Sequence, residues 1–204
     1  MGDKDRLVRN LINEGYLKTP KIIKAFKSVD RSVFVPKEHR IHAYADYPLP
    51  IGRGQTISAP HMVAIMTELL EPQKTDKVLE IGAGSGYQAA ILSKLVNKVY
   101  TIELDPELAD FAKENLKKAG IKNVEVIVGD GSKGYEKEAP YDKIILTCAT
   151  EDFPKPLIEQ LKEGGIIMGP LGDSFFQNLI VARKIKGCLE RKNYGGCVFV
   201  PLRH

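Results

Sequence analysis

The chain has 204 residues, 43% hydrophobic and 27% charged, with a formal net charge of +4. That balance fits one globular domain able to bury a core without staples, and lysines interspersed with acids (Lys113-Glu114, Glu136-Lys137-Glu138) leave no basic block of the kind that marks a nucleic-acid surface. Three cysteines without CxxC spacing argue against a disulfide framework or a zinc site, and no signal-peptide run or membrane-length apolar stretch occurs, so a cytoplasmic protein with no metal and no membrane partner is expected.

From Met1 to about Gln73 the pattern is helix, turn and loop. Leu7, Leu11, Ile12, Ile22, Ile23 and Phe26 recur at helical spacing on either side of Gly15 and Pro20. Between Arg31 and Ser58 the breakers Pro36, Pro48, Pro50, Gly52 and Gly54 are too frequent for a regular element. Ser58-Ala59-Pro60 then opens a helix through Leu70.

Beyond Lys77, short apolar runs alternate with amphipathic segments. Strands are predicted at 77–81, 98–102, 124–128, 143–147 and 165–168, with helices at 87–96, 106–119 and 154–162. Runs such as VLEI and IILT are apolar on successive residues, as expected of parallel strands covered on both faces. The alternation implies an α/β doubly wound, Rossmann-like sheet preceded by a helical N-terminal extension. Asn178–Arg183 and Gly196–Val200 lack a long helix between them and are expected to form an antiparallel hairpin at the sheet edge. The whole of 1–204 reads as one domain, with 1–73 on the substrate side and 74–204 holding a cofactor.

The stretch Val78–Tyr87, VLEIGAGSGY, is a buried strand followed by glycines at 82, 84 and 86. Glycine permits positive φ and lets a ligand approach the backbone. In a doubly wound sheet this first turn borders the ligand crevice. A dinucleotide fingerprint spaces its glycines as GxGxxG; here the third falls one position early, and acidic Glu80 precedes the turn inside the strand. The resulting ExGxGxG resembles the first motif of class I methyltransferases and speaks against nicotinamide chemistry. Cofactor contacts are therefore expected at Glu80, Gly82, Gly84, Ser85 and Gly86, although Glu80 is equally suited to a structural role held by turn amides.

Glu103 ends the second strand about 20 residues beyond Gly82, where a carboxylate can accept from two ribose hydroxyls. The plainer alternative is an exposed residue capping the helix at Asp105-Pro106. Gly129-Asp130-Gly131 follows the third strand; Asp130 can accept from an adenine amino group, or simply make a turn.

Upstream, IGRGQTISAPH (Ile51–His61) places glycines, hydroxyls and a histidine beside a helix start, whose free N–H groups suit a carboxylate. Together with Asp30-Arg31, Phe34-Val35-Pro36, YADYPL, VLEIGAGSGYQAA, VGDGSKGY, APYDKI, LIEQLKEGG and the terminal VFVPL, this loop resembles the protein-L-isoaspartate (D-aspartate) O-methyltransferases over almost the whole chain. QTISAP is the most specific piece.

The resemblance implies methyl transfer from S-adenosyl-L-methionine, giving S-adenosyl-L-homocysteine, to the free carboxylate of isoaspartyl and some D-aspartyl residues in damaged proteins. It implies that Ser58 touches the substrate carboxylate and that Gln55, Thr56, Ile57 and His61 line the junction of substrate and cofactor. It also puts Asp130 and Gly131 at the adenine, Glu103 at the ribose, and Val198, Val200 and Leu202 along the substrate main chain. A monomer without nucleic-acid partners is expected.

A carboxylate with a pKa of about 4 is already ionised at neutral pH, so the reaction needs no general base. Ser58 is then a hydrogen-bond donor, unless it only caps the following helix. Cys148 reads as a small buried thiol and Arg53 as a solvated loop residue. Two rival functions are weaker. Cys148–Phe153 (CATEDF) lacks the Asn/Asp-Pro-Pro-aromatic loop of base-amino methylation, and a non-enzymatic binding protein would not need both the glycine turn and the QTIS loop.

Overall fold

The structure, a computed structural model, describes residues 2–173 and 175–204. Two helices open the chain, α1 (Asp3–Asn13) and α2 (Pro20–Ser28). Each turns one apolar face inward: Leu7, Val8 and Leu11 of α1, and Ile22, Ala25 and Phe26 of α2, are buried. The stretch expected to be irregular holds 3-10 turns at Arg31–Phe34 and Lys37–His42 and then a small antiparallel ribbon, β1 (Leu49–Gly52) with β2 (Gln55–Ile57). Gly52, Arg53 and Gly54 all have positive φ (92°, 55° and 71°), which is how a chain so rich in breakers reverses within three residues. Helix α3 (Pro60–Leu70) follows. Its Glu68 accepts from the N–H groups of Lys18 and Thr19 and from the Thr19 hydroxyl, so α3 ties down the α1–α2 turn.

The second half alternates as expected: β3 (Lys77–Ile81), α4 (Tyr87–Ser93), β4 (Lys98–Glu103), α5 (Pro106–Lys118), β5 (Val124–Val128), β6 (Tyr141–Leu146), α6 (Lys155–Gln160) and β7 (Leu161–Gly172). Two further strands, β8 (Gln177–Ile185) and β9 (Cys188–Cys197), complete a seven-stranded sheet in the order β5-β4-β3-β6-β7-β8-β9. The strands from β3 to β7 run parallel, and β8 and β9 are antiparallel additions. Strand order reverses beside β3, the topological switch at which such sheets bind ligands.

Successive residues of β3 and β6 enter opposite layers. Val78 and Ile145 pack with α1 to α4, whereas Leu79, Ile144 and Leu146 pack with Phe153, Leu157 and Leu161. The unbroken apolar runs are explained by this two-sided cover.

The edge hairpin exists, but its second strand is not 196–200. Lys186 and Gly187, both at positive φ, turn β8 directly into β9. Strand β9 is almost wholly exposed and carries Glu190, Arg191, Lys192 and Asn193, so it has no apolar signature. The segment after it leaves the hairpin and runs back beside Ala149, whose N–H donates to Val200 O (2.8 Å) and whose carbonyl accepts from Leu202 N–H (2.7 Å).

Candidate active site

The C-terminal ends of β3, β4 and β6 open into a crevice of about 880 Å³, its open mouth included. Its floor is the glycine turn. The N–H groups of Gly82 and Ala83 both donate to Ile102 O (2.8 and 3.2 Å), curling the chain away from β3 at φ +96°. A Cβ on Gly82 would lie 2.6 Å from Thr147 Oγ1, which itself donates to Gly82 O at 2.6 Å. Gly84 and Ser85 also line the crevice, as expected. Gly86 does not: it caps α4 at φ +85°, and a side chain there would press on Leu116 and Ala112 of α5, so its role is helix packing.

Glu103 is buried at the tip of β4 and lines the crevice. Its Oε2 accepts from Gly84 N–H (2.9 Å) and its Oε1 from Asp105 N–H (3.2 Å). Helix α5 is capped by Asp105, not Glu103, which disposes of the plainer alternative. Glu80, fully buried, also lines the crevice, and neither carboxylate oxygen has a hydrogen-bond partner. Burial pushes its pKa up to about 8, partly offset by the nearby Thr101 hydroxyl and reinforced by the charge of Glu103. The turn amides therefore do not hold Glu80, so the structural role left open for it finds no donor.

The Asp130 carboxylate is engaged locally. Its Oδ1 accepts from the N–H (3.0 Å) and hydroxyl (2.7 Å) of Ser132, and Lys133 Nζ stands 3.4 Å from Oδ2. Asp130 Oδ1 thereby makes the simple turn, while Gly131 joins the crevice wall. An added Cβ on Gly131 would overlap Ile81 Cγ2, so only glycine lets the wall close.

Gln55, Thr56, Ile57 and Ser58 line this same crevice, opposite in sequence but adjacent in space to the glycine turn. The ribbon reaches over the turn, with Ile51 Cδ1 3.4 Å from the Cβ position of Gly84. Arg53 is the exposed loop residue expected, and its guanidinium meets Asp105 at 2.9 Å, between the ribbon's tip and the start of α5. Ser58 is not a helix cap, because the N-cap of α3 is Ala59 and no side chain caps it. The Ser58 carbonyl accepts from Arg31 Nη2 (2.8 Å). His61 is not brought to the crevice. Its ring Nδ1 and backbone N–H both meet Asp46 Oδ1 (3.0 and 2.8 Å), and Tyr16 packs beside it.

The returning C-terminal segment supplies another wall through Val200, Pro201, Leu202 and Arg203, whereas Val198 is 87% exposed and stands outside. Gln177, buried at the start of β8, holds that segment by exchanging side-chain hydrogen bonds with Phe199 N–H (2.8 Å) and O (3.4 Å).

Several lining residues escaped the sequence reading: Val63 and Met66 of α3, Tyr87 and Gln88 of α4, and Thr147 and Cys148 after β6. The first four lie inside helices, where their apolar or buried character looked like ordinary core. Thr147, a hydroxyl at a strand's C-terminal end, carried a signal that could have been used. Cys148 is the buried thiol expected, and burial pushes its pKa up to about 12.

The donor set suits a cationic nucleoside. The charged groups lining the crevice are the buried Glu80 and Glu103 and the exposed Arg203, a glycine turn gives the backbone access, and Glu80 presents two buried oxygens without partners. S-adenosyl-L-methionine has that character, and these residues would hold it.

The family model for protein-L-isoaspartate (D-aspartate) O-methyltransferases matches residues 2–204. A protein-L-isoaspartate O-methyltransferase of Methanopyrus kandleri is 53% identical over 98% of this chain and 90% of its own length. Protein-L-isoaspartate O-methyltransferase 2 of Archaeoglobus fulgidus is 54% identical over 98% of this chain and 92% of its own. Among solved structures, one named protein-L-isoaspartate O-methyltransferase superposes with a TM-score of 0.90 at 29% identity, covering 98% of this chain and 66% of that one. A candidate enzyme of that kind from Plasmodium falciparum, solved with S-adenosyl-L-homocysteine, shares the fold over 100% of this chain and 99% of its own (TM-score 0.87, 24% identity). The chain belongs to the protein-L-isoaspartate (D-aspartate) O-methyltransferase family.

Proposed function

We propose that the crevice transfers a methyl group from S-adenosyl-L-methionine to the free carboxylate of an isoaspartyl residue in a protein substrate, with Ser58 as the group that holds that carboxylate. The chain is an S-adenosyl-L-methionine-dependent protein-L-isoaspartate O-methyltransferase by family. One observation carries the residue-level reading: Gln55–Ser58 and the Gly82–Ser85 turn with Glu103 line a single crevice, although the ribbon and the turn are far apart in function and sequence.

When bound, S-adenosyl-L-methionine supplies a methyl group on a sulfonium, a good leaving group. The protein's residues position the partners. Glu103 accepts from the ribose, and Glu80 faces the positive end of the cofactor. The Ser58 hydroxyl donates to the acceptor carboxylate, which is ionised and needs no base. Val200 and Leu202 flank the substrate main chain. The extension up to about Gln73 contributes the acceptor side, and the sheet contributes the cofactor side, of one domain. D-aspartyl residues are accepted in part, and the ester begins repair of the damaged protein.

We also propose a cytoplasmic monomer acting on neither nucleic acid nor membranes. Among the described residues no helix is long and apolar enough to cross a membrane. Three free cysteines suit a reducing compartment. Labelled methyl transfer to an isoaspartyl peptide, beside its aspartyl twin, tests the activity. Labelling of the isoaspartyl peptide alone is expected; equal labelling of both would defeat the assignment.

A further inference from the structure

Arg31 is only 1% exposed, yet no carboxylate answers its charge directly. Nε donates to Ala43 O (2.9 Å) and Nη2 to Ser58 O (2.8 Å), while Nη1 has no partner. The guanidinium carbon lies 4.8 Å from the ring centroid of Tyr87, a residue of the crevice wall that Phe34 supports from behind. Asp46 is the carboxylate it senses, at longer range. A buried cation without a paired anion is expensive, and arginine does not escape by losing its proton. Neutral carbonyls and an aromatic face reduce that expense without cancelling the charge.

The charge stands behind the residue proposed to receive an anion. We propose that Arg31 is a positioning residue that serves the acceptor twice: it clamps the Ser58 carbonyl, fixing the loop over the crevice, and its unneutralised charge favours an ionised isoaspartyl carboxylate over the neutral ester formed from it. This rests on the isoaspartyl reading above. The consequence is selective: the acid substrate is held and the methylated product loses that attraction. A tenfold preference for the acid corresponds to about 1.4 kcal/mol, within the range of a single charge–charge interaction at an effective dielectric constant near 20.

The test compares two peptides of one sequence, the isoaspartyl acid and its isoasparaginyl amide, as competing ligands. In R31M both peptides should weaken through loss of the clamp, the acid about tenfold more than the amide through loss of the charge, and cofactor affinity should not weaken. R31K, which keeps the charge, should restore most of the preference. If R31M does not fold, R31Q keeps a polar amide at the position and removes the charge. An unchanged preference, or equal weakening of both peptides, would overturn the proposal and leave Arg31 a packing residue. So would finding that R203M at the exposed rim, and not the Arg31 variants, abolishes the preference. Failure of the wild-type enzyme to distinguish isoaspartyl from aspartyl peptides would instead sink the functional reading.

Discussion

Glu103 and Gly84 are joined by a hydrogen bond of 2.9 Å, from the backbone N–H of the turn to the carboxylate at the end of the neighbouring strand. The bond fixes the turn relative to β4 and occupies part of the carboxylate, whose remaining lone pairs face the crevice. Glu103→Ala removes both the proposed ribose acceptor and the partner of a turn N–H. Hydrogen bonds to a charged group contribute about 1.5–3 kcal/mol, so S-adenosyl-L-methionine affinity should fall at least tenfold by calorimetry. A wild-type dissociation constant would take Glu103 off the ribose.

Ser58 offers a cleaner separation. Because Ala59, not Ser58, is the N-cap of α3, the hydroxyl carries no helix-capping duty. Ser58→Ala should leave the melting temperature within about 2 °C, since surface-like changes stay within about 0.5 kcal/mol. Turnover on an isoaspartyl peptide should drop by roughly tenfold to a hundredfold, with cofactor binding preserved. Undiminished turnover would show that the acceptor is held by something else.

Two glycines with positive φ should answer differently to the same substitution. At Gly82 a methyl group would meet Thr147 Oγ1 at 2.6 Å, and Thr147 is already engaged with the turn carbonyls. At Gly54, on the ribbon's tip, nothing lies within 4 Å. Gly54→Ala should lose only the backbone strain, about 1 kcal/mol, whereas Gly82→Ala should lose several kcal/mol in denaturant unfolding and bind cofactor poorly. Similar losses at both sites would contradict the steric account.

In its proposed place beside the cofactor, Glu80 should make cofactor binding depend on pH. Its folded pKa, about 8, lies above the ordinary 4.5, so between those values the native protein carries a proton that the unfolded chain has released. This group's contribution to stability therefore declines as pH rises through that window. A bound cation reverses the preference and favours the carboxylate. The dissociation constant for S-adenosyl-L-methionine should fall as pH rises from 6 towards about 8, by up to about tenfold per unit, and then level off. Glu80→Gln should flatten the profile; an unchanged slope would assign it to another group.

The sheet was readable because both faces of its central strands are covered. Val78 and Leu79 enter different layers, so every residue of VLEI had to be suited to burial or to a site. The glycine turn was readable from its spacing, and the QTIS loop from its resemblance. Strand β9 was not, since an exposed edge places no apolar demand on Glu190 to Asn193. Gly86 and His61 lie outside the crevice wall for a related reason: membership of a motif does not say which way a residue faces. Gly86 answers to α5, and His61 to Asp46. The Arg31–Ser58 clamp joins residues 27 positions apart through a side chain and a carbonyl, a pairing that no periodicity records.

The depth of Cys148 in the crevice wall has a practical result. With its pKa near 12 it exists almost entirely as the unreactive thiol at physiological pH, while Cys188 lies exposed on the distant hairpin. Cys197 is half-buried, and burial pushes its thiol up to about 11, so maleimide dyes or nitroxide labels should attach preferentially at Cys188 and spare the crevice.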